Sequence, residues 1–140
     1  MSRVLYNAAG IAIGADLIAG FPTETEALFA DTLALVEDEA IPFLHVFPYS
    51  ERAGTPAARM PAVPVALRRE RAARLRAAGA ANARRFYAGL VGQEAAVLAE
   101  TRTHGHSEHF VPVRIAAEPG RLLRARIVAA DDQGVIAEAA

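Results

Sequence analysis

Two short apolar runs separated by one amphipathic helix constrain this chain more than anything else in it. Ile11-Ala12-Ile13-Gly14-Ala15-Asp16-Leu17-Ile18-Ala19-Gly20 is almost unbroken and stops at Phe21-Pro22. Such a run fits a strand buried on both faces, as in a parallel sheet. Asp16 within it is costly unless it is paired or near the strand end. Thr23-Glu24-Thr25-Glu26 follows, with Thr23 and Glu26 at the spacing of a capping box. Leu28, Phe29, Leu33, Val36 and Ala40 lie on one helical stripe. Pro42 bars the helix from continuing. Phe43-Leu44-His45-Val46-Phe47 is a second short strand. Strand, helix and strand in this order favour a parallel pair with a right-handed crossover.

Prolines at 48, 56, 61 and 64, with Gly54, mark an ordered loop over 48–64. Residues 65–90 read as one long helix. Leu67, Ala72, Leu75, Ala83, Phe86 and Leu90 share a face, and Arg69, Arg74, Arg76 and Arg84 lie outside it. Gly79 weakens its middle by about 1 kcal/mol relative to alanine. Beyond Gly92 the texture changes to short runs at 94–100, 109–115, 122–130 and 134–138. Phe110, Val113, Ile115, Ile127, Val128, Val135 and Ile136 are strand formers there. Pro119-Gly120 and Asp131-Asp132-Gln133-Gly134 are turn signals. Several short strands in so few residues predict a small barrel. The expected division is 1–90 and 91–140.

Composition mainly excludes. With 140 residues, 53% of them hydrophobic, the chain has enough apolar material for a core. No apolar run reaches the ~20 residues of a membrane helix, and the start lacks the long apolar stretch of a secretory signal. No membrane association and a cytoplasmic location are expected. There is no cysteine, which removes disulfides, thiol nucleophiles, thiolate metal sites and cysteine-held iron–sulfur clusters. All 15 basic residues are arginine, so there is no Walker lysine, and no G-x-S-x-G elbow is present. Residues 1–63 carry 3 Arg against 8 acidic residues, and 64–140 carry 12 Arg against 8. The basic second part fits either a polyanion partner such as RNA or a solvated helix face.

Three places are candidates for chemistry. His104, His106, Glu108 and His109 supply metal-type donors, but a second anchoring segment is lacking, and polar loop residues before a strand are the alternative reading. Glu24 and Glu26 are accounted for by the positive end of a helix rather than by acid–base work. Gly20-Phe21-Pro22 and Pro48-Tyr49-Ser50 both follow the C-terminal ends of the proposed parallel strands, where ligands bind in α/β folds. Gly20 allows close approach to the backbone. Stiff turns explain the same residues, and spacing does not choose between the two readings.

At these segments the sequence resembles radical S-adenosylmethionine methylthiotransferases. Gly14-Ala15-Asp16-Leu17-Ile18-Ala19-Gly20-Phe21-Pro22-Thr23-Glu24-Thr25 is similar to their G-x-D-x-I-x-G-F-P-G-E-T strand and turn. His45-Val46-Phe47-Pro48-Tyr49-Ser50-Glu51-Arg52-Ala53-Gly54-Thr55 is similar to H-V-F-P-Y-S-x-R-x-G-T. Arg69-Glu70-Arg71-Ala72-Ala73-Arg74-Leu75 resembles their K-x-E-R-x-x-R-L helix. Gly105-His106-Ser107-Glu108-His109-Phe110-Val111-Pro112-Val113-Arg114-Ile115 resembles G-Y-T-E-N-Y-V-P-V-R-V of the C-terminal TRAM domain. The His-Val-Phe-Pro-Tyr-Ser block looks most like the branch that makes 2-methylthio-N6-threonylcarbamoyladenosine in tRNA.

The resemblance implies an α+β fold: a fragment of a partial (β/α) barrel followed by a small TRAM/OB-like antiparallel β-barrel. Family members use S-adenosylmethionine and a [4Fe–4S] cluster. Ile18 and Gly20 would line the adenosine side, with Phe47, Pro48 and Tyr49 beside the adenine. Arg84, Arg85, His109, Phe110, Arg114 and Arg124 would face tRNA. The family's C-x-x-x-C-x-x-C loop and its cysteine-bearing N-terminal domain have no counterpart, and Thr23 replaces a glycine. The chain therefore reads as the C-terminal part of a longer enzyme. Alone it is expected to be non-catalytic, to bind no cofactor, to keep tRNA binding and to self-associate as a homodimer through its exposed sheet edge and apolar surface. A free-standing RNA-binding module and an inactive structural remnant are the rival readings.

Overall fold

The computed structural model describes residues 12–140. Ile11, the first residue of the opening apolar run, lies outside them. The described residues divide into two compact units, Gly14–Ala83 and Arg84–Ala140.

In the first unit, strand β1 (Gly14–Ala19) pairs in parallel with β2 (Phe43–Pro48), Asp16 opposite His45 and Ile18 opposite Phe47. Helix α1 (Glu26–Asp38) makes the crossover. The sheet is buried on one face only. Ala19 and Val46 enter a core with Phe29, Val36, Ala72 and Leu75, and Leu17 and Leu44 pack against it. Asp16 and Ile18 face the other way, and Ile18 and Phe47 are each more than half exposed. This corrects the expectation of a strand covered on both sides, and it removes the cost of Asp16, which lies in solvent.

The capping box is also corrected. Thr25, not Thr23, is the N-cap, its hydroxyl accepting from Leu28 N at 3.2 Å. Thr23 stands two residues earlier with φ 69°, in the left-handed region where a β-branched residue is strained. Of the expected stripe, Phe29 and Val36 are buried, whereas Leu28 faces solvent. The helix ends where Ala40 turns left-handed (φ 49°). Its end is tied to the long helix: buried Asn82 Nδ2 donates to Val36 O (2.9 Å) in the last turn and to Ile41 O (3.1 Å) just beyond it.

Helix α2 (Val65–Leu90) supplies Asn82 and covers the sheet. Its buried stripe is Arg68, Arg71, Ala72, Leu75, Gly79 and Asn82, so two arginines occupy core-facing positions. Gly79 sits where a Cβ would come within 2.9 Å of Leu44 Cδ1. Close approach to the sheet, rather than helix propensity, explains that glycine.

The second unit holds a closed five-stranded barrel in the order β3-β4-β5-β7-β6. Its strands are β3 (Glu94–Ala99), β4 (His104–Ser107), β5 (Pro112–Arg114), β6 (Leu122–Asp131) and β7 (Gly134–Ala139). Strand alternation sends Ala95, Val97, Ala99, Val113, Ala125, Ile127, Val135 and Ala137 inward. Phe110, Val128 and Ile136, counted above among the strand formers, point outward. One pairing, β5 with β7, is parallel, and a register shift between Ile127 and Ala129 bends β6. His104–Ser107 forms strand β4, not the polar loop expected there.

Candidate nucleoside pocket and nucleic-acid surface

The first site lies at the C-terminal ends of the parallel strands. A cavity of about 600 Å³ is lined by Ile18, Phe47, Pro48, Tyr49, Arg52 and Thr55, among others. Four of the five residues singled out from sequence for ligand contact therefore converge on one space. The fifth, Gly20, is not among its lining. Gly20 has φ 74°, and a Cβ there would come within 2.5 Å of Arg68 Cγ. Its missing side chain makes room for α2.

Two buried arginines one turn apart on α2 hold the loops that follow the strands. Arg68 Nε donates to Val63 O (2.6 Å), Nη1 to Tyr49 O (3.2 Å) and Nη2 to the Glu51 carboxylate (3.2 Å). Its guanidinium also lies 5.3 Å from the centre of the Tyr49 ring, which meets Phe21 edge-on at 5.4 Å. Arg71 Nη1 donates to the Glu24 carbonyl (3.0 Å) and carboxylate (2.8 Å), and Nη2 to Glu26 (3.2 Å). The Glu24 carboxylate in turn accepts from Gly20 N at 3.1 Å. Hydrogen bonds from Arg74, then from Arg71, hold the Glu26 carboxyl below its ordinary pKa. These partners account for Glu24 and Glu26 more directly than the helix end does. The Tyr49 hydroxyl is buried and has no hydrogen-bond partner among the described residues. Sequence reasoning missed Arg68 and Arg71. The available signal was their i, i+3 spacing in phase with Ala72 and Leu75.

The second site is on the barrel. Phe110 is 82% exposed and has φ 59°. Ser107 builds the turn that presents it. Ser107 Oγ accepts from His109 N and Val111 N, both at 3.3 Å, and Ser107 O accepts from Phe110 N at 2.9 Å. A strained backbone that displays a large aromatic to water costs about 1–3 kcal/mol and is typical of functional positions. The arginines expected from sequence to face RNA are largely compensated. Arg114 pairs with Asp131, Arg84 with Asp132 (3.6 Å), and Arg124 with Glu94 (3.2 Å). Arg84 and Arg114 thus meet the same acidic turn, whereas Arg124 lies on β6 beside β3. Arg85 is exposed. Exposed pairs of this kind are worth about 0–1 kcal/mol each, so phosphates can displace the carboxylates at small cost. His109 is half-buried, with Nε2 3.9 Å from Glu108. His106 Nδ1 meets Glu100 at 3.0 Å and His104 Nδ1 meets Thr103 at 2.8 Å. Among the described residues no group of three metal-type donors converges.

No protein-family model matches the chain. Individual proteins do. It is 43% identical over 124 residues to a threonylcarbamoyladenosine tRNA methylthiotransferase of Rickettsia prowazekii, covering 87% of this chain and 30% of that protein. It is 38% identical over 149 aligned positions to a tRNA-2-methylthio-N(6)-dimethylallyladenosine synthase of Ruegeria pomeroyi, covering all of this chain and 34% of that one. A ribosomal protein uS12 methylthiotransferase of an Anaeromyxobacter strain is 39% identical over 84% of the chain and 25% of its own length. The chain spans about a quarter to a third of the length of these relatives. Matches that run through both units and hold across relatives with three different printed substrates place the chain in the methylthiotransferase family.

Proposed function

We propose that this chain carries the nucleic-acid grip and one flank of the nucleoside pocket of a tRNA methylthiotransferase, without its redox centre. On this reading the barrel is a TRAM domain that binds tRNA in the cytoplasm. Phe110 stacks on an unpaired base, and Arg84, Arg85, Arg114, Arg124 and His109 approach the backbone and neighbouring bases. The observation that carries the reading is Phe110, an aromatic ring held 82% exposed on left-handed backbone. The threonylcarbamoyladenosine branch is favoured by the 43% identity to the Rickettsia protein.

The family's two cofactors fit this chain unequally. Adenosine-sized space bounded by Ile18, Phe47, Pro48 and Tyr49 fits the nucleoside end of S-adenosylmethionine. A [4Fe–4S] cluster needs thiolate ligands, and the sequence has no cysteine. Methylthiolation by this chain alone is therefore not expected. The two-stranded β1–β2 sheet, open at its edges, supports self-association, which sedimentation would reveal as a dimer.

The test has two arms. Photo-crosslinking to unmodified tRNA should place an adduct on the peptide containing Phe110. Incubation with S-adenosylmethionine, reductant and tRNA should leave the nucleosides unmodified. Crosslinks that avoid residues 104–126, or a methylthiolated nucleoside, would refute the respective half. The crosslinking arm also separates the rival readings: a free-standing RNA module crosslinks to tRNA, and a structural remnant does not.

A further inference from the structure

We propose that Arg68 is the positioning residue of the cavity: from beneath, on α2, it sets the Tyr49 wall against the end of β1. The inference rests on the reading of the cavity as a nucleoside pocket. Tyr49 lines the space, and its backbone N donates to Ala19 O at the end of β1 at 2.8 Å. Its carbonyl and its ring both meet Arg68. The same guanidinium reaches forward to Val63 O and sideways to Glu51, so one planar fork joins the start of the loop at 49–51 to its end at 63. The stem of Arg68 fills the space that Gly20 leaves open, which fixes the loop after β1 to the same side chain. The Arg68 side chain is 8% exposed. It is not among the cavity's lining residues and acts through Tyr49. Lysine, a point charge on a flexible stem, cannot satisfy three acceptors arranged around a plane.

The test uses the intact chain with S-adenosylhomocysteine as the probe and 13C-labelled tyrosine rings as the reporter. R68M keeps the stem beside Gly20 and removes the fork. It should move the Tyr49 ring resonance and weaken S-adenosylhomocysteine binding by about tenfold or more. R68K should fall between R68M and the parent. R69M, which removes a neighbouring exposed arginine, should change neither readout. E51Q changes only an exposed partner of Arg68, preserves folding if R68M does not, and should shift the same Tyr49 resonance by a smaller amount. An unmoved Tyr49 resonance in R68M, or in E51Q where R68M does not fold, overturns the proposal, as does unchanged affinity in R68M. If the parent chain does not bind S-adenosylhomocysteine, the nucleoside reading fails. The Tyr49 resonance then decides the positioning role by itself.

Discussion

Replacing Glu24 by alanine is the sharpest probe of how the pocket loops are held. The Glu24 carboxylate accepts from Gly20 N at 3.1 Å and from Arg71 Nη1 at 2.8 Å. Its side chain is 13% exposed and that of Arg71 is 3% exposed. Removing one partner of a buried ion pair costs about 3–5 kcal/mol, because the other charge stays buried. Arg71 keeps the Glu24 carbonyl and the Glu26 carboxylate, so the lower end, about 3 kcal/mol, applies. Glu24→Gln retains an acceptor of the same shape but not the charge, and a charge-assisted bond is about twice as strong as a neutral one. About 1 kcal/mol is expected for it. Native-state hydrogen exchange resolved over 14–83 measures the opening free energy of this unit separately from the barrel. The alanine variant should raise the opening constant by roughly a hundredfold or more, and about 1 M salt should not erase the difference, since the pair is shielded from solvent. A loss below about 1 kcal/mol for alanine, or equal losses for alanine and glutamine, would refute the buried-pair account.

Three further outcomes are expected. Thr23→Gly relieves a left-handed β-branched residue (φ 69°); after the entropy cost of glycine it should stabilise the first unit by up to about 1 kcal/mol in the same exchange experiment. The Asp131 carboxyl is held below its ordinary pKa of 3.8 by Gln133 N–H and then by Arg114. Its contribution is therefore complete above that value and lost as acid drives the pH down through the lower folded value, and Asp131→Asn should flatten the acid dependence of barrel melting. Phe110→Ala should leave barrel melting unchanged, because the ring is exposed, while weakening tRNA binding by about 1–3 kcal/mol in a filter-binding assay.

Much of the architecture was legible because it depends on periodicity. The long helix falls at Val65–Leu90 and the second strand at Phe43–Pro48, both where apolar spacing and proline stops put them. What was not legible depends on partners distant in sequence. Arg68 and Arg71 were not singled out from sequence, because their role shows only when Tyr49, Glu51, Val63 and Glu24 are brought around them. The packing of Arg68 against Gly20 was hidden because sequence cannot show α2 standing behind that glycine. Strand β4 was hidden because His104-Gly105-His106-Ser107 has turn-like composition and gains strand geometry only by pairing with β3 and β5. Ile18, Phe47, Pro48 and Tyr49, singled out from sequence, line one cavity; the side chains that hold the loops around it were not singled out.

Anisotropy of labelled unmodified tRNA with the intact chain, titrated from about 50 to 200 mM salt, tests the central claim most directly. The account predicts saturable binding, with log affinity falling linearly against log salt, and weaker binding by Phe110→Ala along a parallel line. Absent binding at the lowest salt, or identical curves for the parent chain and Phe110→Ala, would contradict it.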